Sequence, residues 1–143
     1  MFWLFVILVM MAGFYFQIYH ANSIIQSKKG TYSQVRDAAL WMKENTGSTD
    51  SIVTASVTQT AFYSERKIIS FYNDTGQKYY TPEEFTSVLL ANKPKYLVVS
   101  IFEPAVPQWT YTYPENNTML APVKAFTMDN ENVLIIYSIN YAS

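Results

Sequence analysis

Apolar positions along this chain follow two unlike arrangements. From Phe2 to Tyr19 they are continuous: FWLFVILVMMAGFYFQIY holds no charged side chain, and Gln17 is its only strongly polar one. Beyond Thr31 they recur at helical or strand spacing, separated by polar breaks. The first arrangement suits a helix surrounded by lipid, and the second suits elements that bury one face or two.

As a helix the opening eighteen residues extend about 27 Å, close to the ~30 Å hydrocarbon core of a bilayer. Trp3 lies near one end of the run, and Tyr15 and Tyr19 near the other, matching an interfacial aromatic belt. Lys28 and Lys29 follow at headgroup distance. The reading is a transmembrane helix over 1–20, a polar connector over 21–30 and an α/β domain over 31–143. A cleaved signal peptide would want a charged start and a small-x-small site, and QIYHANSIIQ offers no such site. A buried core helix is the other alternative, but such helices are rarely apolar all round over this length. Orientation signals conflict. Lys28 and Lys29 place the domain in the cytoplasm by the positive-inside rule. Two acceptor sequons, Asn73-Asp74-Thr75 and Asn116-Asn117-Thr118, point outward.

Within the domain, Thr31-x-x-Gln34 reads as a capping box opening a helix. Tyr32, Val35, Ala38, Ala39 and Met42 fall on one stripe of it, and Gly47 is expected to close it in a left-handed cap. Strands are expected over Ile52–Val57, Lys67–Tyr72 and Tyr96–Ile101, with a helical turn over Thr60–Ser64. Thr81-Pro82-Glu83-Glu84 is the clearest helix start, with Phe85, Val88 and Leu89 facing inward and Asn92–Pro94 stopping it. Pro104, Pro107, Pro114 and Pro122 argue against a long regular element in that stretch. Val123–Met128 and Val133–Ile139 flank Asp129-Asn130-Glu131-Asn132 as a closing hairpin. Alternating strands and helices predict a three-layer α/β domain with a mainly parallel sheet and a C-terminal β-hairpin.

Composition narrows the function. A net charge of −1 with scattered Lys and Arg disfavours a nucleic-acid partner. With no cysteine there are no disulfides, thiolate sites or cysteine nucleophiles. His20 is the single histidine, expected as an interfacial polar residue, and no metal site or cofactor is anticipated. Four glycines build no phosphate-cradling loop, and no nucleophile-elbow motif occurs. Glu83 and Glu84 are explained by a helix N-terminus, and Asp129 and Glu131 by a solvated turn. No catalytic residue is assigned. Glu103 stands out, because it follows a strand at the end where open α/β sheets present ligands. Beyond it, Trp109, Tyr111 and Tyr113 alternate and would share a face in an extended chain. They read either as core packing or as a platform for sugar, lipid or a partner.

The segments YSQVRDAALWMKENT from Tyr32, DSIVT from Asp50, AFYSERKII from Ala61 and KYLVVS from Lys95 carry a resemblance. Together, over residues 30–140, they resemble the C-terminal soluble region of polytopic lipid-phosphate-sugar-dependent glycosyltransferases. These are the enzymes similar to protein O-mannosyltransferases and to the aminoarabinose transferases of lipid A, in archaea and bacteria. The resemblance implies an α/β fold on the extracytoplasmic side of the cell membrane. It does not imply activity: the family's catalytic acid lies in an early loop between membrane helices, to which nothing here corresponds. The expectation is a non-catalytic membrane-anchored module that packs on membrane helices or positions an acceptor. Its partners would be lipid and other membrane subunits or a polytopic glycosyltransferase portion. Two alternatives stay open: a single-span accessory subunit of another membrane complex, and a small extracytoplasmic sugar binder or enzyme.

Overall fold

The computed structural model describes residues 2–73, 76, 78–103 and 105–141, apart from the side chains of 2–5, 8 and 27–32. The side chains of Trp3, Lys28 and Lys29 therefore lie outside the description, as do Asp74 and Thr75 of the first sequon. Two compact units divide the chain, Met1–Ser33 and Gln34–Ser143.

One helix, α1 (Phe2–Asn45), runs through the boundary. The expected connector over 21–30 is helical, and Thr31 sits inside the helix rather than at its start. Extending an existing helix adds a hydrogen bond for each residue fixed, whereas a new helix needs a costly nucleus. Ala21, Gln26, Lys28 and Lys29 are good helix formers, and only Gly30 in this stretch carries a helix penalty of about 1 kcal/mol. Gln34 does not close a capping box; its side-chain amide donates to the Thr127 carbonyl at 3.2 Å. In the first unit described apolar side chains are exposed around the helix, among them Ile7, Val9, Met10, Phe16 and Tyr19. Among the described residues no helix is long and apolar enough to cross a membrane.

The second unit is a mixed α/β domain. Five strands, β1 (Ser51–Val53), β2 (Lys67–Ile69), β3 (Tyr96–Ser100), β4 (Leu120–Met128) and β5 (Glu131–Ile139), form one sheet in the order β2-β1-β3-β5-β4. Two neighbouring pairs are parallel and two antiparallel, so the sheet is mixed rather than mainly parallel. The hairpin causes the difference: β5 inserts beside β3 and leaves β4 on the edge. Asp129 and Asn130, both at positive φ (52° and 66°), make its two-residue turn, and Glu131 already belongs to β5. β4 starts at Leu120, so Pro122 lies within an edge strand, where its missing N–H is tolerated.

Helices α2 (Val57–Ser64), α3 (Pro82–Asn92) and α4 (Trp109–Thr112) complete the unit. Alternation along the strands feeds two cores. Ile52, Tyr96, Val98, Leu134 and Ile136 pack against Val35, Ala38, Ala39 and Met42 of α1, with Tyr63 of α2 alongside. Val53, Leu97 and Ile139 face the other way, onto Phe85 and Leu89 of α3, Phe71 and Tyr113. From β1 the chain crosses through α2 to β2 on one side. It then returns through α3 to β3 on β1's other side. A right-handed crossover that reverses direction changes face, so α2 and α3 lie on opposite layers.

The capping box at Thr81 forms as expected: Glu84 N–H donates to Thr81 Oγ1 at 3.3 Å, and Thr81 N–H to Glu84 Oε2 at 2.8 Å. The end of α1 is closed differently from the sequence expectation. Gly76 is the only described glycine at positive φ, so Gly47 provides no left-handed cap. Its N–H instead donates to Asp50 Oδ2 at 2.8 Å. Arg66 satisfies the open carbonyls, donating to Lys43 O and Thr46 O, each at 2.9 Å, and to Thr46 Oγ1 at 2.8 Å.

Candidate functional site

Strands β1, β2 and β3 all end on one edge of the sheet, and the reversal of chain direction opens a switch point between β1 and β3. Open α/β sheets present ligands at such points, because the flanking loops diverge there.

Each strand delivers a polar or aromatic side chain to this edge. After β1 comes Ser56, the residue preceding α2. Its hydroxyl does not cap its own helix but donates to Oε1 of Glu103, which follows β3. The bridge thus spans the switch point. After β2, Tyr72 stacks on Tyr79 with ring centroids 4.0 Å apart and hydroxyls 2.5 Å apart. The backbones of these two tyrosines pair, and Gly76 at φ 66° lets the intervening loop turn. Tyr111 of α4 completes the group, its hydroxyl donating to the Glu103 carbonyl at 3.1 Å.

Tyr79 and Tyr111 resist ionisation. Burial, then the hydrogen bond with Tyr72, then nearby charge including Glu103, push Tyr79 up to about 12. Burial, with the Glu103 charge second, also raises Tyr111. The cluster is therefore one carboxylate among neutral hydroxyls, a set that accepts and donates hydrogen bonds and offers aromatic faces. Below Tyr111 the space is closed to about 10 Å³, so the group forms a surface platform. A groove of about 420 Å³ runs beside β2, bounded by Ser70, Tyr72 and Val88.

Of the residues expected to make contacts, Glu103 and Tyr111 come together here. Trp109 and Tyr113 do not. The segment forms α4 instead of an extended run, which sends alternate side chains in different directions. Trp109 packs against Phe71, Phe85 and Tyr113 at centroid distances of 6.1, 5.3 and 5.6 Å. Tyr113 is buried and shares a 2.7 Å hydrogen bond with Thr86. Sequence reasoning missed Ser56, Tyr72 and Tyr79. The signal was available in kind: the rule that singled out Glu103 applies equally to the ends of the other two strands.

Elsewhere, Asn116 is exposed, its amide donating to the Thr112 carbonyl at 3.1 Å. Asn73 is half-buried, and its side-chain carbonyl accepts from Lys78 N–H at 3.3 Å. In the first unit, Tyr19 and His20 are exposed. Among the described residues no group of three or more His, Cys, Asp or Glu could hold a metal ion.

No known family model, curated protein or solved structure matches this chain. The functional reading therefore rests on the cluster and on the sequence.

Proposed function

We propose that this chain is a membrane-tethered, non-catalytic recognition module, held by the helix over Phe2–Tyr19 and exposing its α/β domain on the extracytoplasmic side of the cell membrane. The observation that carries the recognition role is the Ser56–Glu103 bridge across the switch point, with Tyr111 bonded to the Glu103 carbonyl, Tyr79 within reach of the Glu103 charge and Tyr72 stacked on Tyr79. Recognition suits this group better than catalysis. Its shifted phenols, Tyr79 and Tyr111, are raised further from neutral pH, which suits hydrogen bonding rather than proton transfer.

The tether is supported by the uncharged opening run and by its unburied side chains. Ile18, Phe16 and Met10, on different sides of the helix, are 68%, 65% and 59% exposed. A helix apolar on all sides in water is costly, and lipid removes that cost. The resemblance to the soluble tail of lipid-phosphate-sugar-dependent glycosyltransferases supplies the extracytoplasmic side and the role of positioning an acceptor.

Membrane fractionation of the full chain tests the tether. Retention in the pellet after an alkaline carbonate wash is expected, and extraction into the supernatant overturns it. The chain lacks cysteine, so Asn116→Cys gives a clean topology reporter. Labelling of intact cells by an impermeant maleimide is expected. Labelling only after lysis overturns the extracytoplasmic side. Crosslinked partners recovered through the cluster should fall on Glu103→Gln, and unchanged recovery defeats the recognition role.

A second reading, accessory subunit of another membrane complex, is favoured by the exposed aromatics Phe14, Tyr15, Phe16 and Tyr19. Co-purification with a different membrane enzyme at fixed stoichiometry would select it.

A further inference from the structure

We infer that the cluster at the ends of β1, β2 and β3 binds a protonated primary amine, with Glu103 as counter-ion and the tyrosines as neutral hydrogen-bonding and aromatic walls. This deepens the recognition role proposed above and rests on it.

Three ion pairs occur among the described residues: Arg36–Asp37, Lys43–Glu65 and Lys95–Asp50. Glu103 is in none of them, although it is half-buried. Among the described residues Ser56 supplies its one side-chain partner, at Oε1. A carboxylate drawn partly out of water without a cation is unfavourable, and an arriving ammonium group relieves that.

The surroundings select among ligands. An incoming phosphate or carboxylate would meet the like charge of Glu103. Tyr72, Tyr79 and Tyr111 offer hydroxyls and ring faces. Phenol oxygens accept from N–H, and ring faces attract ammonium groups. A neutral polyol could use the hydroxyls, but it would leave the Glu103 charge uncompensated.

One ligand chemistry fits two sources: a free small aliphatic amine, or the ethanolamine headgroup of an aminophospholipid. Titration of the full chain in detergent with ethanolamine, followed by tyrosine NMR shifts, tests the chemistry. Saturable binding is expected. It should weaken about tenfold or more on Glu103→Gln and fail with N-acetylethanolamine, which keeps the size but not the charge. Asp37→Asn, which removes a distant carboxylate, should leave binding unchanged. Equal binding of the acetylated compound, or no loss on Glu103→Gln in a variant whose circular dichroism is native, overturns the inference. Failure of ethanolamine to bind also overturns it. That failure leaves the recognition role standing if crosslinked partners still depend on Glu103. Co-sedimentation with vesicles of phosphatidylethanolamine compared with phosphatidylglycerol separates the sources: Glu103-dependent preference for the first assigns the headgroup, and no preference assigns a free amine.

Discussion

Ser56 and Glu103 are 47 residues apart, yet the serine hydroxyl donates to the glutamate carboxylate across the gap between β1 and β3. The bond draws the hydroxyl away from the N-terminus of α2, which has no side-chain cap as a result. Serine at that position would ordinarily serve its own helix. Here it serves a neighbouring loop.

The first prediction follows from that diversion. Glu103→Ala frees Ser56 to return to the α2 amides, so the lost charge-assisted bond is offset in part by a recovered cap. The expected cost is about 1 kcal/mol or less in urea unfolding. Ser56→Ala recovers nothing and should cost at least as much. A markedly larger loss for Glu103→Ala would show the carboxylate to be a structural element rather than a ligand group.

Arg66 should matter more for stability. It reaches three acceptors on Lys43 and Thr46 with a planar fork, closing the C-terminal end of α1. Arg66→Ala is expected to destabilise the domain by about 1–3 kcal/mol in chemical denaturation. Arg66→Lys should restore little, because an ammonium cannot span the same three oxygens.

Phe85 is fully buried between Phe71, Trp109 and Tyr113, at centroid distances of 4.9, 5.3 and 5.2 Å. Phe85→Ala should cost about 3–5 kcal/mol and lower the thermal midpoint accordingly. Tyr113→Phe, which removes only the bond to Thr86, should cost about 1 kcal/mol.

Alkaline pH gives a signed test. Tyr79 in the folded domain is raised to about 12 from an ordinary 10.0, chiefly by burial and then by the Tyr72 hydrogen bond. The folded state therefore holds this proton more tightly than the unfolded chain. The associated stability is fully present below pH 10 and is lost as pH rises through the interval up to about 12. Urea midpoints measured across that interval should fall more steeply for the natural chain than for Tyr79→Phe. Phenolate absorbance should show the delayed ionisation directly.

Local signals were well written in the sequence. Thr81, Pro82 and Glu84 specify their helix start through contacts within four residues, and the structure follows them. The stripe Val35, Ala38, Ala39 and Met42 is buried as its spacing required. Failures came where a neighbour distant in the chain decided. Gly47 was available as a cap, but Arg66 reached the carbonyls first. Thr31 could have opened a helix, but one was already running through it. Trp109, Tyr111 and Tyr113 alternate in sequence, yet a single helical turn parted them between the core and the Glu103 loop.

The amino-acid order alone determined the uncharged opening run, the helix and strand periods and the closing hairpin, because each depends on side chains a few positions apart. Only the tertiary structure decided that β1 lies between β2 and β3 and that β5 slots in beside β3. That strand order gathers Ser56, Tyr72, Tyr79, Glu103 and Tyr111 on one edge. Periodicity records which faces of an element are buried, but not which element covers them. That choice belongs to packing of the whole domain.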